Sequence, residues 1–87
     1  MVDLIKAISQ AICDKPDEID VVETAADTSS IIEVKVAKQD LGKMIGKHGQ
    51  TAGAIRKIMY AASFKYKTNS GQNRRYQLEI IAKDGSK

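Results

Sequence analysis

The chain has 87 residues, 43% hydrophobic and 29% charged, with a single cysteine and a formal net charge of +3. That length suits one domain, expected over residues 1–84, and the composition argues against both a disordered chain and a membrane-inserted one, since no apolar run approaches the roughly 20 residues of a spanning helix. A lone cysteine, Cys13, cannot close an internal disulfide, which points to a reducing, cytoplasmic setting.

The start, MVDLIKAISQAIC, is too short and too acidic for a signal peptide. Leu4, Ile5, Ile8 and Ile12, flanked by Ala7 and Ala11, recur at helical spacing and predict an amphipathic helix. Pro16 pushes Lys15 out of the helical region, so this helix ends near Cys13 or Asp14. Cys13 reads as a small buried or half-buried residue, because no basic neighbour is evident to activate its thiol. Ile19 and Val21 begin an alternation that fades around Thr24. Ile32, Val34 and Val36 then point one way while Glu33 and Lys35 point the other. The stretch ADTSS between them has turn chemistry, so the two runs form an antiparallel hairpin.

Asp40 is the expected N-cap of a very short helix through Leu41, Lys43, Met44 and Ile45, which Gly46 ends. A longer helix resumes around Thr51, its apolar stripe running through Ile55, Ile58, Met59, Ala62 and Tyr66. KTNSGQNRR, residues 67–75, has no periodicity and reads as a loop. Tyr76, Leu78, Ile80 and Ala82 alternate with polar neighbours in a last strand, and the tail, residues 85–87, is expected to fray. The predicted class is α+β, in the order α-β-β-α-α-β, with the helices on one face of a three-stranded mixed sheet. The last strand follows a helical crossover, so it should lie parallel to the second strand and leave that strand central.

Charge is segregated along the chain. Residues 1–34 carry two basic residues against eight acids, a balance of −6; residues 35–87 carry twelve against three, a balance of +9. The basic part holds GKMIGKHGQTAGAIRKI, from Gly42 to Ile58, with Gly46 and Gly49 in a pattern that is otherwise helical. Glycine inside a helix costs about 1 kcal/mol relative to alanine, so Gly46-Lys47-His48-Gly49 is read as an open loop joining two helices. Without a Cβ, the two glycines let a phosphate approach the backbone, and unpaired N–H groups at the next helix start favour an anion. Lys47 adds a full charge, and His48 can donate a hydrogen bond or stack.

Rival readings of these glycines fit less well. A Walker loop needs four residues before Gly-Lys and then Ser or Thr, whereas Gly42 is followed by three before Gly46-Lys47 and then by His48. The dinucleotide fingerprint needs a G-x-G, and none occurs. His48 is the only histidine, with no Cys or second His nearby, so neither metal nor cofactor is expected. The acids gather in the other half and none pairs with His48, so no enzyme is expected.

The apolar pair Met44-Ile45, the Gly-x-x-Gly and the following amphipathic helix resemble a KH domain. The additional N-terminal helix and strand are similar to the bacterial, type II arrangement. The string LGKMIGKHG, followed by Thr51-Ala52 and Ala54-Ile55-Arg56, is most similar to the small stand-alone KH proteins of the KhpA group. The resemblance covers Leu4 to Ala82 and implies a type II KH fold that clamps about four nucleotides of single-stranded RNA. By that resemblance the RNA-binding positions are Gly42, Lys43, Gly46, Lys47, His48, Gly49, Gln50, Arg56 and Lys57, with Arg74 and Arg75 on the rim of a variable loop. Of Met44 and Ile45, one should face the core and the other floor the groove for bases.

Gln50 stands where the family often has a basic residue, and Gly53 where it often has a longer polar one. Both departures should weaken backbone contacts, and Arg56 and Lys57 are placed to compensate. Tyr60 and Tyr76 could stack on bases, although Tyr66 and Tyr76 fall on core stripes and aromatics make up only 5% of the chain. The resemblance further implies a homodimer, and pairing with a larger KH-containing protein of the KhpB group. Regulation of gene expression and cell elongation, or an RNA-chaperone role, would follow. Gly53, Ala54 and Ala61 are the small helix residues that would permit a close approach. The alternative reading is a protein-interaction module whose RNA contact is secondary.

Overall fold

In the computed structural model, which describes residues 1–85, α1 (Val2–Ile12) ends where Cys13 turns extended ahead of Pro16. Its buried line runs through Ile5 and Ser9, whose hydroxyl donates back to the Ile5 carbonyl (2.8 Å). Leu4, Ile8 and Ile12 are half-buried while Ala7 and Ala11 face solvent, a narrower stripe than expected. After a short 3-10 turn (Pro16–Glu18), β1 (Asp20–Ala25) pairs antiparallel with β2 (Ser29–Val36), from Asp20 opposite Lys35 to Ala25 opposite Ser30. β3 (Arg75–Ala82) lies parallel to β2, from Ser29 beside Arg75 to Val36 beside Ala82. The order β1-β2-β3 makes β2 central, as expected.

The helices cover one face of this sheet, α2 (Leu41–Ile45) and α3 (Gln50–Ser63) joining α1 there. Ile32, Val34 and Val36 on β2 meet Ile5 of α1, Met44 of α2, Ile55 and Met59 of α3, and Leu78 of β3 in one core. Each such side chain stabilises the fold by about 1.5–3 kcal/mol through burial. The α-β-β-α-α-β order and the mixed sheet are those expected. No helix among the described residues is long and apolar enough to cross a membrane.

Three local expectations are corrected. The long helix stops at Ser63 rather than running to Tyr66, and Tyr66 packs edge-to-face on Tyr76 with ring centroids 5.8 Å apart. Ile58 is 44% exposed, because the buried line of α3 runs through Ala52, Ile55, Met59 and Ser63. Ile58 lies about 100° around the helix from Met59, on the flank of that line. Asp40 occupies the N-cap position of α2 without capping it. A capping residue needs non-helical backbone, and Asp40 has φ −94° and ψ −9° at the end of a 3-10 turn. Its buried carboxylate instead accepts the N–H groups of Asp14 (3.1 Å) and Lys15 (2.9 Å), tying the end of α1 to the start of α2. Of the tail expected to fray, Gly85 closes a turn by donating to the Ala82 carbonyl (2.9 Å); Ser86 and Lys87 lie outside the described residues.

Candidate functional site

The joint between α2 and α3 is a single tight turn, closer-knit than the open loop expected. Gly46 ends α2 by donating to the Gly42 carbonyl (2.8 Å), and Gly49 donates back to the Gly46 carbonyl (3.1 Å). Gly46 has φ 76° and ψ 170°, a region essentially closed to side-chain-bearing residues. A Cβ there would stand 2.3 Å from Thr51 Oγ1 and 2.7 Å from the Thr51 backbone nitrogen. His48 and Gly49 follow in the left-handed region, at φ 57° and 74°. Two successive left-handed residues swing the chain outward, so Lys47 and His48 are exposed while Gly46 and Gly49 stay half-buried.

No side chain caps the N-terminus of α3, so first-turn N–H groups add partial positive charge beside Lys47. Between Asp40 and Glu79 the chain contains eight Lys or Arg residues and no acid. Lys43 is hydrogen-bonded to the Asp14 carboxylate, which raises its pKa above the ordinary 10.5. The Lys67 ammonium donates to the Asn73 side-chain carbonyl. Lys47, Arg56, Lys57, Lys65 and Arg75 form no ion pair among the described residues. On the other side of the joint, Cys13 lies buried behind α2; desolvation, reinforced by the charge of Asp40, raises its thiol pKa above 9.0.

A groove of about 800 Å³ opens between α3 and the edge strand β3. Met59 and Leu78, both almost wholly buried, form its floor; Arg56, Tyr60 and Phe64 stand on the helix side and Arg75 on the strand side. Tyr60 and Phe64 touch edge-to-face, with ring centroids 5.2 Å apart. Phe64 was invisible as a site residue from the residue types alone, although its i, i+4 spacing from Tyr60 was a usable signal. Met44 takes the core position and Ile45 is half-buried, outside the residues that line the groove.

The remaining expected site residues separate into groups. Gly46 to Gly49 form the turn and Gln50 opens α3, while Gly42 and Lys43 precede the turn on exposed positions of α2. Arg56 and Arg75 face each other across the groove, and Lys57 is exposed on α3. Arg74 also lines the groove, but its guanidinium is engaged: it donates to the carbonyls of Ala26 (2.7 Å) and Ser29 (2.9 Å) and holds the β1–β2 turn. Ala54 and Ala61 are exposed on the helix face of Ile58. Gly53, at i−7 from Tyr60, belongs to the opposite flank.

Comparison with known proteins adds an independent observation. Residues 2–80 match the family model described as the KhpA/KhpB KH domain. The chain is similar to the RNA-binding protein KhpA of Clostridium acetobutylicum, at 42% identity over 93% of this chain and 100% of that one. It is also similar to RNA-binding proteins KhpA from Caldanaerobacter subterraneus subsp. tengcongensis (48% identity over 77% and 89% of the two chains) and Treponema pallidum (38% over 91% of each). No solved structure matches it.

Proposed function

The chain belongs to the KhpA/KhpB KH-domain family, and from that premise we propose that residues 1–84 act as one single-stranded RNA-binding unit. About four nucleotides lie against the turn at 46–49, the usual reach of a KH domain. The observation that carries this reading is the turn itself: an exposed bend, left-handed at His48 and Gly49, open to close approach and flanked by unpaired cations. Lys47 and His48 meet a phosphate, the uncapped first turn of α3 adds N–H donors, and Arg56 and Arg75 flank the groove along which a longer strand continues.

The test is fluorescence anisotropy with a labelled single-stranded RNA on the wild type and on a variant combining Lys47→Asp with His48→Asp. Binding should vanish in the variant while the circular dichroism spectrum stays unchanged. With roughly 3–5 phosphate contacts, the wild-type log–log salt slope should be about −2 to −3.5. Retained affinity in the folded variant would show that the turn is not the contact.

A second reading is favoured by Ile58, which is 44% exposed between the exposed small residues Ala54 and Ala61. That strip at i, i+4 and i+7 suits a partner helix, either from a second copy or from a KhpB-type protein. Ala61→Glu should abolish any dimer seen by light scattering and leave the RNA contact at the turn in place.

A further inference from the structure

We propose that Tyr60 and Phe64 form an aromatic ledge on which bases of the bound strand stack, carrying the contact from the glycine turn to the far end of α3. The inference rests on the single-strand reading above and extends it to a second, chemically different subsite. Tyr60 and Phe64 follow Gly49 by 11 and 15 residues, so the ledge lies about 16–22 Å from the turn along α3. That separation puts the ledge at the opposite end of α3 from the phosphates held at the turn.

The four aromatic residues of the chain fall into two pairs with opposite environments. Tyr66 and Tyr76 are half-buried against each other. Tyr60 and Phe64 are 68% and 50% exposed, one helical turn apart on the helix side of the groove. Their planes meet at 76°, so the ring whose edge contacts its neighbour keeps both faces clear of that neighbour. Two large rings held in water have no folding role that exposure would serve, whereas every nucleobase has a π-face to offer them.

The charge around the ledge selects the occupant. Arg56 lies one turn before Tyr60, Lys57 and Lys65 are exposed on the same helix and its C-terminal end, and Arg75 is across the groove. None of these cations has an ion-pair partner among the described residues, and Glu79 is the one acid lining the groove, against three arginines. An apolar protein surface docking on the rings would leave those cations unneutralised. A strand of alternating bases and phosphates satisfies rings and cations together.

The test compares the wild type with a variant carrying Tyr60→Leu and Phe64→Leu, which keeps apolar volume and removes both π-faces. Anisotropy is measured with a single-stranded RNA of about four nucleotides, enough for the turn, and with a longer one of about ten. The variant should lose about tenfold or more in affinity for the longer RNA, the equivalent of one lost base stack, and bind the short one as the wild type does. Tyr60→Phe should bind both RNAs normally. The chain lacks tryptophan, so tyrosine emission is readable directly: the longer RNA should quench it more in the wild type than in the leucine variant, which keeps Tyr66 and the groove-lining Tyr76.

Equal affinity of wild type and leucine variant for the longer RNA overturns the ledge and leaves the turn standing. Loss of self-association in the variant, with RNA affinity unchanged, overturns it in favour of a protein surface. Wild-type protein that binds neither RNA removes the single-strand reading and the ledge with it. A thermal melt of each variant verifies that these exposed substitutions leave the fold intact.

Discussion

Replacing Gly46 by alanine perturbs the turn in two separable ways, and the geometry assigns a magnitude to each. The backbone at φ 76° and ψ 170° costs a residue with a Cβ about 1–3 kcal/mol. The new methyl also meets Thr51 at 2.3 Å (Oγ1), 2.7 Å (backbone nitrogen) and 2.8 Å (Cβ), an overlap of the kind that costs about 1–3 kcal/mol more. The expected loss, about 2–6 kcal/mol, is a large part of the stability of a small domain, about 5–15 kcal/mol. Gly49→Ala provides the internal control. Its φ of 74° carries the left-handed penalty of about 1–2 kcal/mol, but no atom lies within 4 Å of the added Cβ. Urea unfolding followed by circular dichroism should therefore separate the two variants by about 2 kcal/mol, or 8–16 °C in Tm. Adding Thr51→Ala to Gly46→Ala should restore only part of the loss, since the contacts to the Thr51 nitrogen and Cβ remain. Equal losses for Gly46→Ala and Gly49→Ala, or full recovery with Thr51→Ala, would refute this account of the turn.

Asp40→Ala strands the N–H groups of Asp14 and Lys15 and should cost about 2–4 kcal/mol in urea unfolding, with Asp40→Asn losing less because one acceptor survives. Arg74→Ala should lower stability by about 1–2 kcal/mol through the β1–β2 turn, whereas Arg75→Ala should leave the melt unchanged and weaken RNA binding. An alkaline loss of stability is expected from three groups whose pKa values are raised in the folded chain. Burial raises Cys13 above 9.0 and Tyr76 above 10.0, and the hydrogen bond that Lys43 donates to the Asp14 carboxylate raises Lys43 above 10.5. The folded state holds these protons more tightly, so the stability they contribute is complete below the ordinary values and is lost as pH climbs through the raised ones. The urea midpoint should therefore fall as pH rises past 9.0, and Cys13→Ala should remove the earliest part of that fall; a midpoint that stays flat or increases contradicts it.

The elements and their order were legible because period-2 and period-3.6 patterns report which residues share a face. They do not report where a helix face stops being covered. Ile58 continues the apolar spacing of α3 yet is exposed, and Tyr66 continues it beyond the point where the helix has ended. The turn was legible as a position, since two glycines three apart break a helical pattern, but its conformation was not: part of the Gly46 requirement comes from Thr51, five residues on. Arg74 and Arg75 are indistinguishable by type, and only the tertiary fold brings the carbonyls of Ala26 and Ser29 to one of them. Asp40 shows a similar limit. A short polar residue before a helix signals a cap, yet its buried carboxylate serves a segment 25 residues away.

The disposition of charge ties the site to the fold. Among the described residues, ion pairs join Lys15 to Glu18, Lys35 to Glu33, Lys38 to Asp84, Lys43 to Asp14 and Lys83 to Asp20. Of the eight cations between Asp40 and Glu79, Lys43 alone takes part. Its partner Asp14 sits at the joint that Asp40 braces, so acids of the N-terminal half neutralise the back of α2 and stop there. From Lys47 onward the turn, α3 and the loop keep their charge unbalanced over a distance exceeding the roughly 8 Å screening length at physiological salt. Self-repulsion of that kind destabilises a free chain slightly and is relieved when an anion spans it. A single bound phosphate would relieve one end only. A strand lying along α3 would relieve all of it, which is why affinity should grow with RNA length past the four nucleotides of the turn.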